Sequence, residues 1–369
     1  MKIAVINSTI FPTFPPNGTS GYAGLEVLAW QQAEGLAQKG HEVTLFGADG
    51  TVCNHAKVFA FGPPGGQTSE QQAYSRYWPE LLKQDVIVDH GWAKWSYSLK
   101  AEGRLKAPVL AWMHAPVNTM MQNLPPVKKP CFVCISDDQK SHFEALFAPA
   151  QARRCYNGID VNHYRSLGVP RSGRFLFLAR FSKIKGASLA IDACLQVGAG
   201  LDLVGDTTIT NEPDYFNECR SKCDGKQIRM VGPASRGECV WWMSQAHALL
   251  HPNFLAPALG HPGFREPFGL APVEAMACGC PVIAGDFGAM RETVKTGPAS
   301  TSTGRLVNNF DEFTASVKYA IFSDPVYDGE NMADIWRKNC RERAADFTVE
   351  RMVNRVEELC TEALETGGW

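Results

Sequence analysis

The 369-residue sequence has no excess of charge of either sign. Its 36 basic and 38 acidic side chains leave a formal net charge of -2 at pH 7. Binding to nucleic acid depends on positive charge that neutralises phosphates, and this balance excludes a positive field over the whole molecule. We therefore expect no nucleic-acid partner.

Long hydrophobic runs are also missing. The apolar segment Lys2–Ile6 is too short for a signal peptide, and no later stretch approaches the roughly 20 apolar residues of a membrane span. We expect a soluble, cytoplasmic protein with no integral membrane segment. A peripheral position at a membrane surface stays open as an alternative, because a surface patch can hold a protein there.

Cysteine is present, but the spacing of a disulfide or zinc framework is not. The 12 cysteines are spread over a long chain, mostly in apolar runs such as Cys131–Ile135, which is typical of buried thiols in a reducing compartment. The CxxC pair Cys131 and Cys134 lacks a second ligand pair, and alternation along a strand points its two sulfurs to opposite faces. We expect no metal site there.

Short apolar strands alternate with helical patterns along the chain, which predicts an α/β fold with a parallel sheet covered on both faces. The alternation starts with Lys2–Ile6 and starts again with Phe175–Ala179, after a polar stretch. We place a boundary near Leu167 and predict two doubly wound, Rossmann-like domains at 1–167 and 168–346. The last segment, 347–369, has apolar residues at helical spacing and is expected to pack back toward the N-terminal domain.

Three groups of residues suit ligand binding. Gly18, Gly21 and Gly24 precede a helix and suit close approach of an anion or a sugar, although their spacing is a poor match to the dinucleotide fingerprint, which disfavours a nicotinamide dehydrogenase. A loop merely shaped by these glycines is the alternative. Arg180 and Lys185 follow a strand and precede a helix, where two cations suit a diphosphate; solvated loop cations are the alternative.

The third group is the segment around Glu266 and Glu274. Gly269 and Pro272 predict that a helix begins between the two acids, so Glu266 lies in a loop and Glu274 in an early helical turn. Free amides at that helix start can hold phosphate, and a carboxylate on each side can hold sugar hydroxyls. The alternative is that Glu266 is a surface acid and that the charge of Glu274 stabilises the dipole of its own helix.

The segment EPFGLAPVEAMACGCPVIA, which starts at Glu266, resembles the EX7E signature of family 4 retaining glycosyltransferases of the GT-B fold, the group related to sucrose synthase and glycogen synthase. Other segments match that family in the expected order. They are GYAGLE from Gly21, GHEVT from Gly40, NGID from Asn157 and the R-x4-KG pattern of Arg180, Lys185 and Gly186. The resemblance covers nearly the whole chain and implies two Rossmann-like domains that face one another across a cleft.

On the donor side, the resemblance implies that Glu266 binds hydroxyls of the donor sugar and that Glu274 binds the ribose hydroxyls. It implies that Arg180 and Lys185 neutralise the diphosphate. Backbone contacts to the sugar and phosphate are implied for Phe268, Gly269 and Leu270.

In the N-terminal domain, the resemblance implies that Gly21 and Gly24 belong to a loop that closes on the donor. It places His114 near the reacting sugar and His90 near the acceptor. Two departures concern the sugar pocket: Pro267 follows Glu266 where a glycine is common, and 252–265 is a longer loop rich in proline and glycine.

The function implied by the resemblance is a retaining hexosyltransferase. It moves a sugar from a nucleoside diphosphate sugar, with a UDP-sugar favoured and a GDP-sugar as the alternative, to a hydroxyl of a carbohydrate, lipid-linked or small-molecule acceptor. The chain has no Asp-x-Asp pair, so we expect metal-independent activity and no cofactor. Two alternatives are a sugar phosphorylase on the same scaffold and a catalytically silent module that binds sugar nucleotides.

Overall fold

The computed structural model describes residues 1–14, 24–65, 69–116, 124, 127–146, 152–207, 210, 212–253, 265–298, 300–322, 326–327 and 330–369. Contacts between residues divide the chain into two compact units. The N-terminal unit holds the described residues up to Gly158 together with Thr348–Trp369, and the C-terminal unit spans Ile159–Phe347. The division falls ahead of Leu167, because Ile159 already donates its backbone N–H to the carbonyl of Phe347 (2.8 Å).

Seven described strands form one parallel sheet in the N-terminal unit, in the order β3-β2-β1-β4-β5-β6-β7. They are β1 (Lys2–Ile6), β2 (Glu42–Gly47), β3 (Lys57–Ala60), β4 (Val86–Asp89), β5 (Val109–Met113), β6 (Phe132–Cys134) and β7 (Ala152–Arg154). Helices α1 (Gly24–Gln38), α2 (Glu70–Leu81), α3 (Trp95–Ala101) and α4 (Asp137–Leu146) connect them. Ile6 pairs with Phe46 on one side and Asp89 on the other, so the strand order reverses between β1 and β4.

Six described strands form the parallel sheet of the C-terminal unit, in the order β10-β9-β8-β11-β12-β13. They are β8 (Phe175–Leu178), β9 (Leu201–Val204), β10 (Ile228–Gly232), β11 (Leu249–His251), β12 (Val282–Gly285) and β13 (Gly304–Val307). The connecting and flanking helices are α5 (Ala187–Val197), α6 (Pro213–Ser221), α7 (Arg236–Gln245), α8 (Leu270–Ala277), α9 (Met290–Thr293), α10 (Phe310–Phe322) and α11 (Met332–Ala344). A short antiparallel pair, β14 (Val326–Tyr327) and β15 (Glu330–Asn331), precedes α11.

Both sheets therefore have the Rossmann-like order, and the doubly wound α/β fold predicted from the sequence is confirmed. In such sheets ligands bind beyond the carboxyl ends of the strands, where the order reverses. That position lies between β1 and β4 in the N-terminal unit and between β8 and β11 in the C-terminal unit. Apolar side chains such as Phe175, Phe177 and Leu203 fill the space between sheet and helices.

The last helix, α12 (Val349–Thr366), belongs to the N-terminal unit and packs against α1. Its face of Met352, Val353 and Val356 is buried. The two helices come so close that a Cβ on Gly35 of α1 would lie 2.6 Å from Cγ2 of Val353. Among the described residues, no helix is both long and apolar enough to cross a membrane.

Candidate active site

A group of charged side chains in the C-terminal unit lies where the strand order reverses. Arg180 follows β8 and is half-buried, and Lys185 ends a single 3₁₀ turn, Lys183–Lys185, that leads into α5. His251 is the last residue of the adjacent strand β11. Because β8 and β11 run parallel, with Leu249 paired to Leu176, their carboxyl ends meet at one edge and bring these residues together.

Glu266 is the centre of this group. Its Oε2 lies 2.7 Å from Lys185 Nζ, 3.3 Å from His251 Nε2 and 3.4 Å from Asn253 Nδ2. The side chains of Glu266 and Lys185 are only 8% and 17% exposed. Burial acts to raise the pKa of Glu266, but the Lys185 ammonium and the His251 hydrogen bond outweigh it and hold that pKa well below the usual range. Glu266 is therefore a buried carboxylate at neutral pH.

The start of α8 lies directly beyond Glu266. Gly269 precedes the helix with φ +82°, a left-handed conformation that favours glycine, and a Cβ there would lie 2.4 Å from Cε of Met290. The first amides of α8, those of Leu270 and Ala271, are therefore helix N-terminal donors of the kind that hold anions. Phe268 is buried and packs edge-on against Phe347, so its side chain is not available to a ligand.

Glu274 lies one turn into α8 and is half-buried. The hydroxyl of Tyr164 and the guanidinium of Arg236, at the start of α7, lie close enough to its carboxylate to act on its pKa. Burial raises the pKa of Glu274, while Arg236 and Tyr164 act in the opposite direction. The two acids of the EX7E segment thus differ: Glu266 forms an ion pair with Lys185, whereas Glu274 lies near the hydroxyl of Tyr164.

In the N-terminal unit, the structure brings His90 and His114 together beyond the adjacent strands β4 and β5. His90 Nδ1 lies 2.8 Å from His114 Nε2. Burial lowers the pKa of both imidazoles well below the usual value; the nearby His114 lowers that of His90 further, and Lys94 lowers both. Both rings are therefore neutral at pH 7.

A buried polar network holds the loop that carries His90. Lys94 is fully buried, and its ammonium donates to the backbone carbonyls of Asp89 (3.2 Å) and Gly91 (2.5 Å). The carboxylate of Asp89 accepts from the Tyr74 hydroxyl (2.9 Å) and from Ser96 Oγ. Burial lowers the pKa of Lys94, whereas the carboxylate charge of Asp89 raises it.

Sequence reasoning missed several of these residues. His251 and Asn253 flank the predicted β11 strand end and were available as polar residues at that edge. Tyr164 gives no motif signal, and Lys94 lies in a segment that reads as an ordinary exposed loop. Among the described residues, no three His, Cys, Asp or Glu side chains come together as a metal site, and all 12 thiols are free.

Of the remaining residues predicted for the site, some lie within the part of the chain that the structure describes and others lie outside it. Gly24 is the first residue of α1. Gly21 lies outside the described residues, as do 254–264, most of the loop rich in proline and glycine. The ligand contacts expected of all these residues stay predictions.

Two Rossmann-like units in one chain, with cations, carboxylates and a helix start where one sheet reverses its order, define the class of GT-B-type proteins. Comparison with known families agrees. The family model described as "Glycosyl transferases group 1" matches residues 165–343, and the model described as "Glycosyltransferase Family 4" matches residues 22–163. The chain belongs to the family 4 glycosyltransferases of the GT-B fold.

Individual relatives are distant. D-inositol 3-phosphate glycosyltransferase 1 of Catenulispora acidiphila is 24% identical over 99% of this chain and 97% of its own length. Among solved structures, sucrose-phosphate synthase from Thermosynechococcus elongatus has a TM-score of 0.76 at 21% identity, with 99% of each chain covered. HepE of Anabaena, solved with UDP and glucose, has a TM-score of 0.71 at 21% identity, covering 98% of this chain and 99% of its own. These structures share the fold.

Proposed function

We propose that this glycosyltransferase moves a hexose from a nucleoside diphosphate sugar to an acceptor hydroxyl, with retention of configuration and without a metal ion. One observation carries the proposal. Beside the point where the sheet of the C-terminal unit reverses, Arg180, Lys185, the buried carboxylate Glu266 and the start of α8 lie together. This set offers positive charge to a diphosphate and a charged acceptor to sugar hydroxyls.

The leaving diphosphate gains negative charge as the bond to the sugar breaks, and the anomeric carbon gains positive charge. Preorganised cations and helix N-terminal amides stabilise such charge best where water is excluded. In this proposal Arg180, Lys185 and the amides of Leu270 and Ala271 act on the diphosphate. Glu266 accepts hydrogen bonds from sugar hydroxyls, which its ionised state permits.

Glu274 holds the ribose in this proposal, since it lies one turn after the start of α8 and its carboxylate can accept hydrogen bonds from hydroxyls. His114 and His90 keep the roles that the resemblance implies, toward the reacting sugar and the acceptor. Glu266 is engaged with Lys185 and with the sugar hydroxyls, so it is not the nucleophile of a double displacement. The diphosphate oxygen then takes the proton of the acceptor hydroxyl, which attacks from the face that the diphosphate leaves.

A UDP-sugar is the first donor to test, because HepE of the same fold was solved with UDP and glucose. The relatives named D-inositol 3-phosphate glycosyltransferase make a phosphorylated cyclitol one acceptor to include beside simple sugars. The alternatives remain a sugar phosphorylase and a silent module.

The experiment is a thermal-shift screen of UDP-, GDP- and ADP-hexoses, followed by release of the nucleoside diphosphate with and without a chelator. A donor at 100 times its dissociation constant stabilises the protein by about 2.7 kcal/mol. We expect release that needs an acceptor, survives the chelator, and is lost in Glu266→Gln but not in the exposed control Glu218→Gln. Binding without release supports the silent module, and sugar 1-phosphate formed from inorganic phosphate supports the phosphorylase.

A further inference from the structure

Four side chains are linked by successive hydrogen-bond contacts inside the N-terminal unit, in the order Met352, Gln32, His90 and His114. Gln32 of α1 is fully buried, and its Oε1 lies 3.0 Å from His90 Nε2. On its other side, Gln32 Nε2 lies 3.7 Å from Sδ of Met352 on α12. His90 Nδ1 in turn lies 2.8 Å from His114 Nε2.

The contacts of Met352 set the direction of the Gln32 amide. The Met352 sulfur also accepts the backbone N–H of Gly158 at 3.1 Å, so it acts as an acceptor for two donors. A thioether accepts and never donates, so the NH₂ group of Gln32 belongs on the Met352 side. The amide oxygen, which only accepts, therefore faces His90.

The direction of the amide determines where the protons of both imidazoles lie. Because Gln32 Oε1 accepts, His90 Nε2 carries a hydrogen. A neutral imidazole carries one N–H, so His90 Nδ1 is bare and accepts the N–H of His114 Nε2. By the same count, His114 Nδ1 is left without a proton. Burial lowers the pKa of both histidines, so both rings are neutral and each carries a single N–H.

We propose that Gln32 is a positioning residue that holds His114 in the Nε2–H tautomer, so that His114 presents Nδ1 as a hydrogen-bond acceptor. The chemistry that fits this atom is a hydroxyl donor, as on a sugar. The tautomer itself depends on the N-terminal unit alone, whereas its use in the reaction rests on the proposed function.

The charges around the pair are compatible with this proton arrangement. Lys94 is directed onto the backbone carbonyls of Asp89 and Gly91. The carboxylate of Asp89 is occupied by Tyr74, Ser96 and the Gly91 amide, and that of Glu70 accepts the backbone amides of Trp92 and Ala93. These bonds hold the loop from β4 to α3 around His90, while Gln32 supplies the polar contact from the opposite helix.

The test is nitrogen-15 NMR of the full chain with labelled histidine, since the two ring nitrogens of each tautomer have different shifts. In the wild type at pH 7 we expect His90 and His114 to be neutral and protonated at Nε2. In Gln32→Leu, His90 Nε2 loses its acceptor. The form in which His90 Nδ1 donates to His114 Nε2, with His114 protonated at Nδ1, then becomes about as populated as the wild-type form. Gln32→Glu keeps an acceptor oxygen and restores the Nε2–H form of His90.

Gln31→Leu is the matched control, because Gln31 is the neighbouring buried glutamine, with a side-chain oxygen that has no hydrogen-bond partner in the described part of the chain. It leaves the His114 tautomer unchanged. Wild-type His114 protonated at Nδ1, or a pattern that does not change in folded Gln32→Leu, overturns the proposal. The wild-type spectrum decides even if Gln32→Leu does not fold. The expected spectra with unchanged turnover in Gln32→Leu support the positioning of His114 and contradict only its proposed contact with the sugar.

Discussion

Lys185→Met tests the buried ion pair at the centre of the candidate site. Methionine keeps the length of the apolar stem and removes the ammonium that lies 2.7 Å from Glu266 Oε2. The Glu266 side chain is only 8% exposed, so its charge cannot be replaced by full hydration. The variant therefore leaves a buried carboxylate with two remaining partners, His251 and Asn253.

The structure sets the size of the effect. Removal of one partner of a buried ion pair costs about 3–5 kcal/mol, and the two remaining hydrogen bonds place this case near 3 kcal/mol. Glu266→Gln removes the charge but keeps the shape, and we expect a loss of about 2 kcal/mol. The double variant leaves no stranded charge, so it loses about 3 kcal/mol rather than the sum, a coupling of about 2 kcal/mol.

The effect also depends on pH. The folded pKa of Glu266 is held below its usual range, so its contribution to stability is present above the unfolded pKa of about 4.3 and is lost as the pH falls below that value toward the folded pKa. In Lys185→Met burial dominates and the folded pKa rises. The difference in unfolding free energy between wild type and variant is therefore largest at pH 7 and shrinks at pH 3.

The assay is urea unfolding of the wild type, both single variants and the double variant at pH 7 and pH 3. A control cycle uses Lys140 and Glu144, a more exposed pair at 2.8 Å on α4, whose coupling is about 0.5 kcal/mol or less. Additive losses for Lys185 and Glu266, or a loss in Lys185→Met that is the same at both pH values, would refute the reasoning.

Three further predictions concern the same unit. Arg180→Ala lowers turnover by about a hundredfold, because positive charge acts where leaving-group charge develops; steady-state turnover near the wild-type rate contradicts this. Glu274→Gln raises the donor KM with little change in kcat, and a lowered kcat with unchanged KM would oppose the ribose role. Because burial raises the pKa of Glu274, acidification raises the wild-type donor KM already at pH values above those at which an ordinary carboxyl group titrates. Gly269→Ala destabilises the protein by about 1–3 kcal/mol in thermal unfolding, since alanine is strained at φ +82° and meets Met290. The control Gly237→Ala, with nothing near its Cβ, does not, and equal losses in both variants contradict the account.

Most buried strands could be predicted from the sequence, and so could the edge strand β10, whereas the edge strands β3 and β7 could not. Buried strands such as Phe175–Leu178 are apolar on both faces, so a short apolar run identifies them. The edge strands β3 and β7 have partly exposed side chains, as in Lys57–Ala60, and lack that run. Helix α2 contains Pro79, which sequence rules treat as a helix stop.

In the site, too, the positions set by local sequence could be predicted, whereas contacts between residues far apart in the sequence could not. Arg180 and Lys185 could be placed at the ligand-binding edge of their sheet, because they follow a strand and precede a helix. The resemblance to the family 4 signature adds Glu266 and Glu274 to that site. The ion pair of Lys185 with Glu266 could not be predicted, since it joins residues 81 positions apart. Gln32 gives no sequence signal either, because its partners His90 and Met352 come from distant segments that only the fold brings to α1.

The most direct test of the proposed activity is the anomeric configuration of the product. Proton NMR of the reaction product, with an α-linked nucleoside diphosphate hexose as donor, identifies the configuration, since a glycosidic linkage does not mutarotate. We predict an α-linked product, because the acceptor attacks from the face that the diphosphate leaves. A β-linked product from the α-linked donor would contradict it.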